Sequence, residues 1–214
     1  ARTRIALDGK GPRNLVVRDG KAYVCQYFSG NIAVVDINSL SFENISLGEQ
    51  PEPSLVRLGE SLWHDGETSY QEWLSCSSCH PDARVDGFSW DEMGDGPNGG
   101  YGNPLNTKSL LKSHVTPPIL IIGSGTAEEG IRGSFDVLSF KSIAESDAQA
   151  IDEYLKSLKP VSSPYLNRDG TLTEAAQRGK QIYNDIGCAV CHPAPFYTDT
   201  LQHKVVTVDL EKEP

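Results

Sequence analysis

Four of the five cysteines in this 214-residue chain fall into one repeated pattern, Cys76-Ser77-Ser78-Cys79-His80 and Cys188-Ala189-Val190-Cys191-His192. Two intervening residues place both thiols on one edge of a single helical turn, with an imidazole directly after them. That arrangement suits two thioether bonds to the vinyl groups of one porphyrin, with the histidine as axial ligand to its iron, which is the attachment chemistry of haem c. A lone copy would equally fit a zinc half-site, a redox dithiol or a disulfide. Two copies, each followed by histidine, weigh against these. Structural zinc pairs lie closer in sequence than Cys79 and Cys188 do, and would not need His80 and His192. The expectation is two covalently attached haem c groups, held by Cys76, Cys79, Cys188 and Cys191, with His80 and His192 as proximal iron ligands.

The ligand across each iron decides between relay and enzyme, because two strong ligands favour electron transfer and an open position favours chemistry at the metal. The candidates are few: Met93, the single methionine, and the histidines outside the motifs, His64, His114 and His203. His114 lies in Lys112-Ser113-His114-Val115-Thr116-Pro117-Pro118, where a proline-stiffened loop could hold an imidazole against the first haem; a plain surface histidine is the alternative. Met93, in a glycine-rich acidic loop, could ligate the first haem instead, or simply be an exposed loop methionine. His203 is the candidate within the chain for the second haem, as a ligand or as a donor lining its pocket. His64 is matched by Asn184 in an internal repeat, which favours a helix-surface role. Trp73 and Trp90 near the first motif could carry electrons between haems, although packing is the commoner use of tryptophan.

The positioning elements divide the chain into residues 1–50, 51–162 and 163–214. Residues 11–47 read as four short strands, Leu15 to Arg18, Lys21 to Phe28, Asn31 to Ile37 and Phe42 to Leu47, with turns at Arg18-Asp19-Gly20-Lys21 and Ser29-Gly30-Asn31. Cys25, inside the second strand, reads as a small buried core residue. Glu49-Gln50-Pro51-Glu52-Pro53 is a stiff linker, after which Ser54 caps a helix bearing Leu55, Leu58, Leu62 and Trp63. A second helix spans Thr173 to Ile186. Both helices carry the repeat Gly-x-x-Leu/Ile-Trp/Tyr-x-Asp, at Gly59 to Asp65 and Gly179 to Asp185, and each precedes a Cys-x-x-Cys-His motif.

A mid-helix glycine costs roughly 1 kcal/mol relative to alanine, so Gly59 and Gly179 should serve close helix crossings. In the first module the crossing partner is a helix opened by a Ser146/Gln149 capping box, with an apolar stripe of Ile151, Tyr154, Leu155 and Leu158, closed by Lys159-Pro160. The second module has no such helix after His192, only a strand-like Lys204 to Leu210, so it reads as truncated: the native chain continues, was cleaved, or is completed by another subunit. A short helix is expected at Asn106 to Ser113 within a long loop. The fold class is mixed, a small antiparallel β blade followed by two mainly α cytochrome c modules in tandem.

No apolar run is long enough to span a membrane. A formal charge of −10 argues against nucleic acid and anionic lipid and fits a basic redox donor or acceptor, or merely solubility. The first ten residues show no basic and apolar leader. Haem c attachment nonetheless implies export, so the expected location is periplasmic or extracellular.

The stretches Gly11 to Val17, Ala22-Tyr23-Val24-Cys25 and Asn31-Ile32-Ala33-Val34-Val35-Asp36 resemble one blade of a YVTN-type β-propeller. One blade cannot bury both faces, so it should pack on the haem domain, or another chain or a missing segment should complete its propeller. Residues 54 to about 204 resemble the bacterial di-haem cytochrome c peroxidases and the related methylamine-utilisation di-haem enzymes. The match rests on Arg57-Leu58-Gly59-x-x-Leu62-Trp63, the first haem motif, Gly102-Asn103-Pro104-Leu105-Asn106-Thr107-Lys108-Ser109-Leu110, and Gly187 through the second motif to Pro193-Ala194-Pro195-Phe196-Tyr197-Thr198-Asp199. The joined blade resembles fusion proteins carrying both domains. The resemblance implies electron transfer, or the alternative of hydrogen peroxide reduction with electrons from a small redox protein. For the latter, Glu128 or Glu129 is the candidate distal acid, since O–O cleavage needs a group that moves a proton; dipole pairing at a helix start is the competing role. The Trp-Asp-Gly-Arg segment of those enzymes is replaced here by Ile122-Gly123-Ser124-Gly125-Thr126-Ala127-Glu128-Glu129.

Overall fold

The computed structural model describes residues 2–91, 102, 104–120 and 123–203. Its first unit is a four-stranded antiparallel meander, β1 (Pro12–Arg18), β2 (Lys21–Gln26), β3 (Asn31–Asp36) and β4 (Phe42–Ser46), in sequential order. Arg18 pairs with Lys21 across a two-residue turn in which Asp19 and Gly20 have φ of 48° and 74°, the left-handed pair that a tight hairpin needs. Register then decides which face is buried. Ala22 and Val24 of β2 stand opposite Val35 and Ala33 of β3, and with Leu7 and Phe42 they make a small core. The opposite face leaves Val16, Tyr23 and Ile45 exposed. Cys25 belongs to that face, opposite Ile32, and is exposed. The expectation of a buried Cys25 is thus overturned by strand alternation, since Val24 and Gln26 take the inward places.

After the linker, α1 (Leu55–Trp63) starts where Ser54 Oγ accepts the Arg57 amide at 3.2 Å. It crosses α4 (Glu145–Ser157) at Gly59. A Cβ there would collide with the Ala150 carbonyl and lie 2.9 Å from Tyr154 Cβ, so only glycine permits the approach. Around that crossing Trp63, Ala83, Ile131, Phe135, Ile151, Tyr154 and Leu155 form the main core, with Leu110, Leu111 and Leu158 packed on its edge. Ile131 and Phe135 come from α3 (Ala127–Val137).

Two expected elements differ. The Ser146/Gln149 capping box does not form: α4 begins at Glu145, preceded by Ala144, which offers no side-chain cap, and Gln149 instead donates to Glu145 Oε1 at 3.2 Å. The helix expected over Asn106 to Ser113 is extended at β6 (Leu105–Asn106), paired with β5 (Ser89–Trp90), and turns helical only at Ser113–Val115. Its amides are recruited across the loop, Thr107 to the Phe88 carbonyl and Leu110 to the Ala83 carbonyl, which local propensity cannot foretell.

The four-stranded sheet docks on α1 through arginines. The Arg57 guanidinium lies 4.0 Å over the Tyr27 ring and donates to the Tyr27 carbonyl at 2.7 Å. Arg13 lies 4.5 Å from the same ring on its way to Glu60, 3.6 Å away. Residues 163–203 pack far more loosely. There α5 (Glu174–Asp185), capped by Thr173, leads to a short 3-10 turn at Cys188–Val190. Among the described residues of that segment none is buried, and Ile182, Ile186 and Val190 are exposed. Nothing lies within 4 Å of a Cβ built on Gly179, so the described residues include no crossing partner for α5. The strand-like stretch expected over Lys204 to Leu210 lies outside the described residues.

Candidate haem-attachment sites

Cys76 and Cys79 sit on one short helical turn, α2 (Cys76–Cys79), opened by Ser75 and Ser78 in a reciprocal capping box. The turn closes when the His80 amide donates to the Cys76 carbonyl at 2.9 Å. The His80 ring then faces Trp63, and its Nδ1 donates to the Arg84 carbonyl at 3.2 Å. The second motif repeats the arrangement. The His192 amide donates to the Cys188 carbonyl at 3.0 Å, and Nδ1 to the Tyr197 carbonyl at 2.9 Å. In both motifs the carbonyl fixes the tautomer with a proton on Nδ1, leaving the Nε2 lone pair as the metal-binding atom.

Other observations fit haem at these places. Burial pushes the Cys76 thiol up to about 12, so this side chain is at ease only uncharged. A thioether is uncharged, whereas a zinc site would require the thiolate. No disulfide joins the motif cysteines, and among the described residues no three His, Cys, Asp or Glu side chains converge as a metal cage. Apolar side chains stand open beside each motif: Val85, Phe88 and Trp90 after the first, Ile186, Val190, Phe196 and Tyr197 around the second. A porphyrin face would cover such surface.

His114 is buried, and its Nε2 donates to Asp152 Oδ1 at 2.9 Å. Arg132 donates to the other Asp152 oxygen at 2.9 Å and also grips Glu145, whose carboxyl it holds below the ordinary range. Asp152 and Arg132 did not stand out in the sequence. A helix pattern with Asp152 between Ile151 and Tyr154, on an otherwise inward stripe, was the available signal. His203 donates from Nε2 to Asp199 at 2.6 Å, and His64 ends α1, bonded through Nδ1 to the Glu60 carbonyl at 2.8 Å. Glu129 accepts the Thr126 amide at 2.8 Å in a capping box. The Glu128 carboxyl is lowered chiefly by its own backbone amide and then by a hydrogen bond with the Thr126 side chain, with His114 and Lys156 adding attraction. Trp73 and Trp90 are exposed, Trp90 donating to Asp86 at 2.9 Å. Met93 lies outside the described residues.

No protein-family model matches the chain. Its sequence is similar to hydrazine synthase subunit gamma of Kuenenia stuttgartiensis, 31% identical over 174 residues, covering 72% of this chain and 48% of the relative. The chain therefore spans about half the length of the curated relative it matches. Its fold is similar to that of Kuenenia stuttgartiensis hydrazine synthase pressurized with xenon, with a TM-score of 0.65 and 25% identity over 75% of this chain and 64% of that one. A MauG-like protein associated with microbial copper homeostasis superposes with a TM-score of 0.47 and 22% identity over 75% of this chain and 56% of that one. The paired motifs, together with the likeness to hydrazine synthase, support a cytochrome-c-like protein. More particularly, the chain is a relative of hydrazine synthase subunit gamma over its matched part.

Proposed function

We propose that the chain is a di-haem c-type cytochrome that transfers electrons outside the cytoplasm as one part of a multi-chain redox assembly. The observation that carries this reading is the shared geometry of His80 and His192, each locked by a carbonyl at Nδ1 with Nε2 left for iron. Bound haem c would supply one-electron chemistry; the protein's part is to hold each porphyrin at Cys76 and Cys79 or at Cys188 and Cys191, orient its histidine and shut out water.

In this reading residues 1–50 are a propeller-like blade, 51–162 the first haem module and 163–214 part of the second. The name of the relative, a synthase subunit, supports work within an assembly. The open blade face and the unburied α5 segment support completion of both units by another chain or further sequence. His114 is the proposed sixth ligand of the first iron. Ligation would exchange Asp152 for iron at Nε2, and His203 would likewise leave Asp199 for the second iron.

The test is intact mass, redox spectra and peroxide reactivity of the full chain produced with a haem c maturation system. Expected are two thioether-bound haems, both low-spin and cycling with a small redox protein. A mass without haem sinks the proposal. A high-spin ferric haem that consumes peroxide replaces it with the peroxidase alternative, in which Glu128 or Glu129 is the candidate acid.

A further inference from the structure

The two carbonyls that hold the motif histidines sit on loops of the same kind, and the loops are anchored differently. In the first, Asp82 and Ala83 precede the acceptor Arg84 with φ of 53° and 55°, a left-handed backbone that costs non-glycine residues about 1 kcal/mol or more and must be held by its surroundings. The hold is evident: Ala83 is fully buried, and its carbonyl accepts the Leu110 amide at 2.9 Å. In the second loop the acceptor is Tyr197 itself, with φ of 58°. Its own segment offers the backbone bonds from the Tyr197 amide to the Pro193 carbonyl at 2.8 Å and from the Asp199 amide to the Cys191 carbonyl at 3.2 Å, with the edge of the Tyr183 ring 5.8 Å away, and no buried residue among those described.

The loop also faces the first module. Phe196, the neighbour of Tyr197, lines a cavity of about 140 Å³ with His114, Val115, Leu155 and Leu158. With Pro195 and Thr198 it also walls a larger cavity of about 550 Å³ against Leu111, Thr116 and Pro160. The side chains flanking the acceptor carbonyl thus border the junction with the first module, while the carbonyl itself turns back to His192.

We infer that Phe196 is a positioning residue through which the first module holds the proximal histidine of the second haem. This rests on the di-haem reading. A carbonyl well placed at Nδ1 makes the imidazole a stronger donor to iron and favours the ferric state. Removing the Phe196 ring should therefore weaken the His192 hydrogen bond and raise the second haem's reduction potential.

The experiment compares wild type with Phe196→Ala, Phe196→Leu and Leu158→Ala as holo proteins. It reads haem count by mass, the potential of each haem, and solvent exchange of the His192 Nδ1 proton. In Phe196→Ala the second potential should rise and that proton should exchange about tenfold faster, the equivalent of one ordinary hydrogen bond; Phe196→Leu should restore both. Leu158→Ala, on the other side of the junction, should move the second haem in the same direction. If both haems are attached and the second potential and exchange rate stay at wild-type values in Phe196→Ala and Leu158→Ala, the positioning role is wrong. Equal shifts in both haems also overturn it, because they report general loosening. A wild-type chain carrying no haem at Cys188 and Cys191 brings down the di-haem reading together with this inference.

Discussion

Cys76 is partly buried against the main core, and that burial has a consequence for pH. Its thiol ionises at about 12 in the folded chain against an ordinary 9.0, so folding favours the protonated form. For a raised value, the contribution to stability is complete below pH 9 and is lost as pH climbs from 9 toward 12. Tyr154 is pushed up by burial as well and acts in the same direction. The chain with free thiols should therefore lose up to roughly 1.4 kcal/mol per pH unit in that window from Cys76. The haem-loaded chain, with sulfur tied up as thioether, should keep only the Tyr154 part. Denaturant midpoints at pH 8 to 11 on both forms check this.

At the same scale, Asp152→Ala should cost about 3–5 kcal/mol in equilibrium unfolding, since it strands the buried His114 and the Arg132 guanidinium. The Cys-x-x-Cys-His motifs were legible in sequence because their chemistry is local, one turn and one adjacent ring. The partner of His114 was not, because Asp152 approaches it only when α4 packs beside the Ser113–Val115 turn.

Elements were legible to the extent that their signals were periodic. Alternation marked out the strands of the four-stranded sheet, and Gly59 on a capped amphipathic helix marked the α1–α4 crossing. The pattern misled where tertiary pairing outweighed propensity, at Asn106 to Ser113, and where the reach of Arg132 to Glu145 favoured an earlier start for α4 than the Ser146 cap. Gly59→Ala tests the crossing: the added methyl meets the Ala150 backbone, which cannot swing aside as a side chain would, so about 3 kcal/mol of stability should be lost in thermal or denaturant unfolding. The blade interface is a separate matter of surface contacts. Arg57→Ala removes a cation–π stack and a hydrogen bond to the Tyr27 carbonyl, and the expected result is faster proteolysis in the Glu49 to Pro53 linker with unchanged haem spectra.

Over the whole molecule the two parts that carry the Cys-x-x-Cys-His motifs are unequal in burial, although they repeat the same local design. The first closes its core with α4; the second presents α5 with Ile182 and Ile186 in the open and Gly179 facing empty space. If Gly179 is spaced for a helix crossing as Gly59 is, the crossing partner must come from outside the described residues, and a single substitution can report its arrival. In the isolated chain Gly179→Ala should be neutral or stabilise by up to about 1 kcal/mol, because alanine is the better helix former and its methyl meets nothing. Once another chain or further sequence packs on α5, the same methyl should obstruct the approach and weaken assembly or lower the melting temperature of the complex. Measuring Gly179→Ala in both states separates the possibilities. A sign reversal between isolated chain and assembly identifies α5 as half of a crossing completed elsewhere, whereas a stabilising effect in both states means that the partner covers some other face and that the likeness of Gly179 to Gly59 is one of sequence only.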